Sequence, residues 1–213
     1  MTLSRFAGTI LTVLFAFACA GDAVTPSVAA EKKGGGKKGE TEVATFAGGC
    51  FWCVEASLEK IDGVDEVVSG FTGGAKGESS YEEVSSGKTG HVEAVQIHYD
   101  PSKVTYEELL EVFWVNHDPL TDDRQFCDWG AQYRPGIFYA GDEQREAALA
   151  SRRRIEESGR FDAPIVTEVT ELSRFWPAEE YHQDFYKKDP RRYTSYRTGC
   201  RRDARLQQLW GDS

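Results

Sequence analysis

EVATFAGGCFWCVEASLEKID, residues 42–62, predicts a β-strand, a glycine turn and an α-helix in that order. The strand ends at a pair of glycines, which are typical of a turn. Apolar residues then follow at helical spacing as far as Leu58 and Ile61, and Gly63 is expected to end the helix. The turn therefore delivers Cys50 to, or next to, the first residue of a helix.

The rest of the chain predicts an α+β fold. Four further strands are expected, at VDEVVSGFTGG (64–74), HVEAVQIHYD (91–100), GIFYA (136–140) and PIVTEV (164–169). Capping residues predict a helical turn in SSYEEVSSG (79–87), a helix from Thr105, a long helix from Asp142 to Gly159 and a short helix from Pro177. The order β-α-β-β-α-β over residues 42–140 resembles a ferredoxin-like two-layer core. We expect the long helix to be added to this core and a long C-terminal coil to wrap it.

Residues 1–30 are typical of an export signal. Arg5 precedes an apolar run that is shorter than the about 20 residues a membrane-spanning helix needs. EKKGGGKKGE, within residues 31–41, predicts a flexible linker, and residues 42–213 then form one domain. We expect an exported, periplasmic protein, with lipid attachment at Cys19 as the alternative to soluble export. The formal net charge of −10 argues against a nucleic-acid-binding surface.

Cysteine usage points to redox chemistry. Besides Cys19 there are four cysteines, Cys50, Cys53, Cys127 and Cys200. A domain of this size buries enough surface to fold without disulfide staples. A thiolate at a helix start is favoured by the unpaired backbone N–H groups and the helix dipole, so Cys50 is expected to be a nucleophile.

Three functions would suit the pair in CFWC. A thioredoxin-type oxidoreductase also carries Cys-x-x-Cys at a helix start, but on a parallel βαβ scaffold. A zinc module needs two further ligands at short spacing, whereas Cys127 and Cys200 are distant and the histidines share no ligand spacing, so no metal is expected. The third is attack by one cysteine on an oxidised substrate, with a second thiol completing the cycle.

Longer motifs favour the third function. GGCFWCVEASLEKIDGVDEVVSGFTGG, YEEVSSGKTGHVEAVQIHYDP, DWGAQYR, AEEYHQDF and RLQQLWG resemble the A-type peptide methionine sulfoxide reductases, and the similarity extends from Glu42 to Gly211. The resemblance implies reduction of the S epimer of methionine sulfoxide, free or within proteins. It also implies an enzyme without a cofactor that is recycled by thioredoxin or a similar dithiol.

The resemblance also implies the site. Cys50 would attack the sulfoxide sulfur and become a sulfenic acid, and Glu93 would protonate the departing oxygen. By strand alternation alone, Glu93 would instead face solvent. Tyr81 and Tyr133 would donate hydrogen bonds to the sulfoxide oxygen. Asp128 would be the acidic residue that fixes the site. Phe51 and Trp52 would form the pocket for the substrate methyl group. His182 matches a recurrent position, and we expect it to be a hydrogen-bonded packing residue.

The resolving thiol is left open among three cysteines. Cys200 is favoured because its glycine- and arginine-rich segment could move and its cationic neighbours would help it ionise. Cys53 is second, since a disulfide within one helical turn is commonly strained, and Cys127 is a candidate relay. The competing function is an exported thiol–disulfide oxidoreductase that uses the Cys50/Cys53 pair. No feature asks for a partner chain, so a monomer is expected.

Overall fold

The computed structural model describes residues 39–211. The export-signal prediction, the Cys19 alternative and most of the predicted linker lie outside the described residues. The strands are β1 Glu42–Ala47, β2 Val64–Thr72, β3 Val92–Tyr99, β4 Arg124–Gln125, β5 Asp128–Trp129, β6 Gly136–Tyr139, β7 Glu168–Glu171 and β8 Trp176–Pro177. The helices are α1 Phe51–Leu58, α2 Tyr81–Ser85, α3 Tyr106–Trp114, α4 Asp142–Glu157, α5 Phe185–Lys188, α6 Pro190–Gly199 and α7 Arg202–Trp210, with a 3₁₀ turn at Ala131–Tyr133. Within the described range, no helix combines the length and apolar character needed to cross a bilayer.

The fold is α+β, as predicted. Six strands form one sheet in the order β7-β6-β1-β3-β2-β8, and β4 pairs with β5 in a separate hairpin. All pairs in the large sheet are antiparallel except β6 with β7, which run parallel. The predicted fifth strand at 164–169 is displaced along the chain, because β7 begins at Glu168.

The main core joins the sheet to the helices that follow β1 and β3. Phe46 of β1 stacks on Phe113 of α3 with 4.8 Å between ring centroids. Val54 and Leu58 of α1 belong to the same buried cluster. Capping boxes begin both helices: Thr105 caps α3 as predicted, and Ser80 caps α2, where either Ser79 or Ser80 was expected. α1 is shorter than predicted and ends at Leu58, well before Gly63.

The prediction of a C-terminal coil is wrong, because the segment after residue 184 is helical. α6 begins at Pro190, and the side chain of Asp189 accepts a hydrogen bond from the Arg192 N–H (3.1 Å). The predicted helix from Pro177 is also wrong, since Pro177 lies in β8. α6 buries no residue completely, so it shows no apolar periodicity. The sequence signals for the start of α6 were Asp189 as the N-cap and Pro190 as the first helical residue.

Candidate active site

The turn that carries Cys50 is built from glycine. Gly49 has φ +84°, and a Cβ there would lie 2.4 Å from the Cβ of Gln125, so another residue would clash with the β4 strand. Cys50 is the N-cap of α1, and its carbonyl accepts hydrogen bonds from the N–H groups of Cys53 (3.0 Å) and Val54 (3.4 Å). Cys50 as a whole residue is 6% exposed.

The thiols of Cys50 and Cys53 form a hydrogen-bonded pair. Burial raises the pKa of Cys50, and its hydrogen bond with Cys53 raises it further. The same hydrogen bond lowers the pKa of Cys53 to about 6, against the effect of burial and with help from the charges of Arg202 and Arg197. Burial thus opposes the ionisation of Cys50 that the helix start favours, and the role of Cys50 as the nucleophile stays a prediction. The opposite directions of the two pKa shifts make Cys53 the group of the pair that ionises more readily.

Glu93 lies beside the start of α1 and not on a solvent face. It is 3% exposed, and its Oε2 accepts a hydrogen bond from the Phe51 N–H at 3.0 Å. Burial raises the pKa of Glu93 to about 8, although the Phe51 hydrogen bond opposes the rise. The carboxyl group is therefore protonated at neutral pH and can donate a proton. The prediction from strand alternation that Glu93 faces solvent is wrong, because both faces of that end of β3 are buried.

The two predicted tyrosines share the electrostatic environment of this carboxyl group. Burial and then the charge of Glu93 raise the pKa of Tyr81 and of Tyr133 above the usual phenol value. The charge of Cys50 also contributes to both shifts. Both hydroxyls therefore stay neutral donors next to the reacting groups.

Asp128 is linked to Cys50 through a residue that the sequence analysis missed. The Tyr196 hydroxyl donates a short hydrogen bond to Asp128 Oδ2 and also hydrogen-bonds the Cys50 side chain. Burial raises the pKa of Asp128, while the Tyr196 hydrogen bond opposes that rise. Tyr196 lies in α6. Because this segment was predicted to be coil, no helical spacing was available to place the Tyr196 side chain on the face near Asp128.

Phe51 and Trp52 form an aromatic wall with His182. The centroid of the His182 ring lies 4.9 Å from that of Phe51 and 4.4 Å from that of Tyr81. Trp52 Nε1 donates to His182 Nδ1 at 3.1 Å, so the ring proton of the neutral histidine is on Nε2. Burial lowers the pKa of His182 to about 4, which keeps the ring neutral. Trp52 also stacks on Phe185 at 3.8 Å, so the wall is held from the C-terminal segment.

A sequence model of the family described as "Peptide methionine sulfoxide reductase" matches residues 42–213. The chain belongs to this family. Peptide methionine sulfoxide reductase MsrA of Bacillus licheniformis is 51% identical over 170 residues, which are 80% of this chain and 94% of that protein. MsrA of Bacillus subtilis is 50% identical over 80% of this chain and 96% of its own length.

Solved structures agree with this assignment. The reduced form of Mxr1 from Saccharomyces cerevisiae is similar with a TM-score of 0.67 and 31% identity, covering 71% of this chain and 87% of that one. Methionine sulfoxide reductase A of Corynebacterium diphtheriae is similar with a TM-score of 0.64 and 31% identity, covering 75% of this chain and 81% of that one. The chain is accordingly an oxidoreductase of the methionine sulfoxide reductase class.

The other two cysteines of this reductase form a disulfide. Cys127 and Cys200 are bonded with 4.9 Å between their Cα atoms, across 73 residues of sequence. Cys127 is exposed, whereas Cys50 and Cys53 are buried free thiols. Cys200, which was favoured as the resolving thiol, is thus paired with Cys127, and the thiol in contact with Cys50 is Cys53. Neither pairing tests which thiol resolves the sulfenic acid.

Possible metal ligands come together at one place in the described part of the reductase. A sulfur of Cys127, a sulfur of Cys200 and a carboxylate oxygen of Asp128 lie within 4.8 Å of one another. Two of these three groups are joined in the disulfide and offer no thiolate to a metal. The absence of a metal stays a prediction.

Arg202 is a further functional residue that sequence reasoning missed. It is 1% exposed, and its guanidinium donates hydrogen bonds to the carbonyls of Gly48 (3.3 Å) and Asn116. Its charge lowers the pKa of Cys53. In the sequence, Arg202 is one of several arginines near Cys200, and nothing there distinguishes it from its exposed neighbour Arg201.

Proposed function

We propose that this chain reduces the S epimer of methionine sulfoxide, free or within proteins, through a Cys50 sulfenic acid. One observation carries the proposal: Glu93, a carboxyl group with a pKa of about 8, is hydrogen-bonded to the backbone N–H of the residue next to Cys50. Such a group can supply the proton that the sulfoxide oxygen needs as its bond to sulfur breaks. The aromatic wall of Phe51 and Trp52 offers an apolar surface to the methyl group.

Cys53 is proposed to act twice. As the thiolate of the pair, it removes the proton of Cys50 while Cys50 attacks the sulfoxide sulfur and methionine leaves. The thiol so formed on Cys53 then attacks the Cys50 sulfenic acid, which releases water and leaves a Cys50–Cys53 disulfide. The hydrogen bond between the two thiols supports Cys53 over Cys200 for this step.

Recycling is proposed to pass through the exposed cysteines. When reduced, Cys127 and Cys200 can exchange with the Cys50–Cys53 disulfide, which yields the combination of thiols and disulfide present in this structure. Tyr196 and Asp128 link the two pairs: Tyr196 hydrogen-bonds both Cys50 and Asp128, and Cys127 Sγ lies 3.8 Å from Asp128 Oδ1. A thioredoxin-like dithiol would then reduce the Cys127–Cys200 disulfide, because Cys127 is exposed.

Two finer expectations also belong to the proposal. The ferredoxin-like core is supported by the strand order β6-β1-β3-β2 with antiparallel neighbours, which is the arrangement of a split β-α-β unit. Export to the periplasm is supported by the composition of residues 1–30, with Cys19 as the point of lipid attachment in the alternative. A monomer is proposed because no heptad pattern asks for a partner chain. No cofactor enters the chemistry, since both electrons come from thiols.

A burst experiment without reductant tests the reaction. The fully reduced enzyme is mixed with each epimer of methionine sulfoxide, and the methionine formed per chain is counted. We expect two equivalents from the S epimer, one for each thiol pair, and none from the R epimer. The Cys127→Ser variant should give one equivalent and a Cys50–Cys53 link in non-reducing peptide mass spectrometry.

A Cys50–Cys200 link in that variant would show that Cys200, not Cys53, resolves the sulfenic acid. If neither epimer yields methionine and the enzyme rapidly exchanges small disulfides, the result would instead favour the thiol–disulfide oxidoreductase.

A further inference from the structure

A groove with a volume of about 540 Å³ lies beside the Cys127–Cys200 disulfide. Cys200 itself and Phe126 line it, together with residues from the first turns of α7. The volume falls in the range of about 300–1,000 Å³ that is usual for sites that bind small molecules. Cys200 is therefore part of the wall of a space that fits a ligand of that size.

The groove carries positive charge on an acidic chain. Three of its lining residues are Arg124, Arg201 and Arg205. Arg205 is neutralised by an ion pair with Asp118 at 2.8 Å. Arg201 is exposed and Arg124 stacks on the Trp129 ring at 4.2 Å, and neither lies within ion-pair distance of a carboxylate in the residues that the structure describes. Two positive charges thus face the groove on a chain with a formal net charge of −10.

We infer that this groove binds a small thiol that bears a carboxylate, and that the bound thiol attacks Cys200. The inference rests on the proposed function, in which the Cys127–Cys200 disulfide must be reduced, and it gives that disulfide a second source of electrons beside a dithiol protein. Arginine is suited to hold the carboxylate because its planar guanidinium matches the two oxygens.

The reaction is two thiol–disulfide exchanges. The thiolate of the first molecule forms a bond to Cys200 Sγ, the Cys127–Cys200 bond breaks, and Cys127 leaves as a thiolate that takes up a proton from water. A second molecule attacks the mixed disulfide, Cys200 leaves as a thiol, and the small thiol departs as its symmetrical disulfide. Two small thiols are oxidised and one protein disulfide is reduced.

A charge series of thiols tests this assignment. The full chain with its Cys127–Cys200 disulfide is mixed with mercaptoacetate, mercaptoethanol or cysteamine, which are anionic, neutral and cationic. Each rate of disulfide reduction is divided by the rate of the same thiol with hydroxyethyl disulfide. After this correction, mercaptoacetate should react about tenfold faster than mercaptoethanol, as expected for two partly exposed ion pairs, and cysteamine should be the slowest.

The double variant Arg124→Gln/Arg201→Gln should remove this advantage, as should high salt. Arg153→Gln is the matched control, because Arg153 is an exposed arginine of α4 that does not line the groove. This variant should keep the rate advantage of mercaptoacetate. Acid quenching and mass spectrometry should locate the mixed disulfide on Cys200.

Equal corrected rates for the three thiols, an unchanged advantage in the double variant or a mixed disulfide on Cys127 would each overturn the inference. The methionine burst of the fully reduced enzyme does not depend on the groove. A normal burst without charge discrimination would thus reject the groove alone, whereas loss of the burst would reject the proposed function.

Discussion

Replacing Glu93 by glutamine should remove the proton source and leave its surroundings in place. With its pKa at about 8, Glu93 is about 90% protonated at pH 7, whereas a carboxyl group with a pKa of 4.5 would be about 0.3% protonated. Burial therefore raises the fraction of enzyme with a usable acid about 300-fold. The amide oxygen of glutamine can still accept the hydrogen bond from the Phe51 N–H. General acid catalysis contributes about 10²–10⁴-fold to a rate, so we expect kcat/KM to fall by at least about 10²-fold.

The pH profile separates this role from a structural one. In the unmodified enzyme, kcat/KM for the S epimer should rise through about pH 6, as Cys53 ionises, and fall through about pH 8, as Glu93 loses its proton. Glu93→Gln should keep the rise and lose the fall. The ultraviolet absorbance of the Cys53 thiolate is the control, and it should still rise through about pH 6. The reasoning would be refuted by a variant with near-normal kcat/KM, or by one whose activity still falls through pH 8.

Two further predictions concern buried charges. Arg202→Met should raise the pKa of Cys53, seen as an alkaline shift of its thiolate absorbance. It should also lower the free energy of unfolding by about 3 kcal/mol, because two carbonyls lose their donor. Arg153→Met should do neither, and an unshifted absorbance profile for Arg202→Met would contradict the charge effect. Burial raises the pKa of Glu55 from 4.5 to about 7, so its contribution to stability is full below pH 4.5 and is lost as the pH rises to 7. Glu55→Gln should thus gain up to about 3 kcal/mol relative to the parent chain between pH 5 and pH 8 in urea unfolding, and parallel pH dependences of the two proteins would contradict this.

The sheet and the nucleophile turn could be predicted because local sequence determines them. The strand before Cys50 meets a turn where only glycine fits against Gln125, and that requirement is visible as a glycine pair. The capping boxes at Ser80 and Thr105 are likewise formed by residues three apart. Such signals need no knowledge of the tertiary structure.

The protonation of the site could not be predicted in the same way. The pKa values of Cys53 and Glu93 depend on burial and on charges supplied by distant segments, Arg202 among them. Helix-end reasoning placed the thiolate on Cys50 because the dipole of α1 is local, whereas the burial that opposes it is not. Tyr196 was missed for the same reason, since its contact with Asp128 spans 68 residues.

The hydrogen bond from Arg202 to the carbonyl of Gly48 spans 154 residues. During synthesis, Gly48 leaves the ribosome long before Arg202. An unfinished chain therefore cannot complete the catalytic turn, and its cysteines lack the cation that favours ionisation. A chain cut short before α7 should therefore be inert even if its sheet assembles.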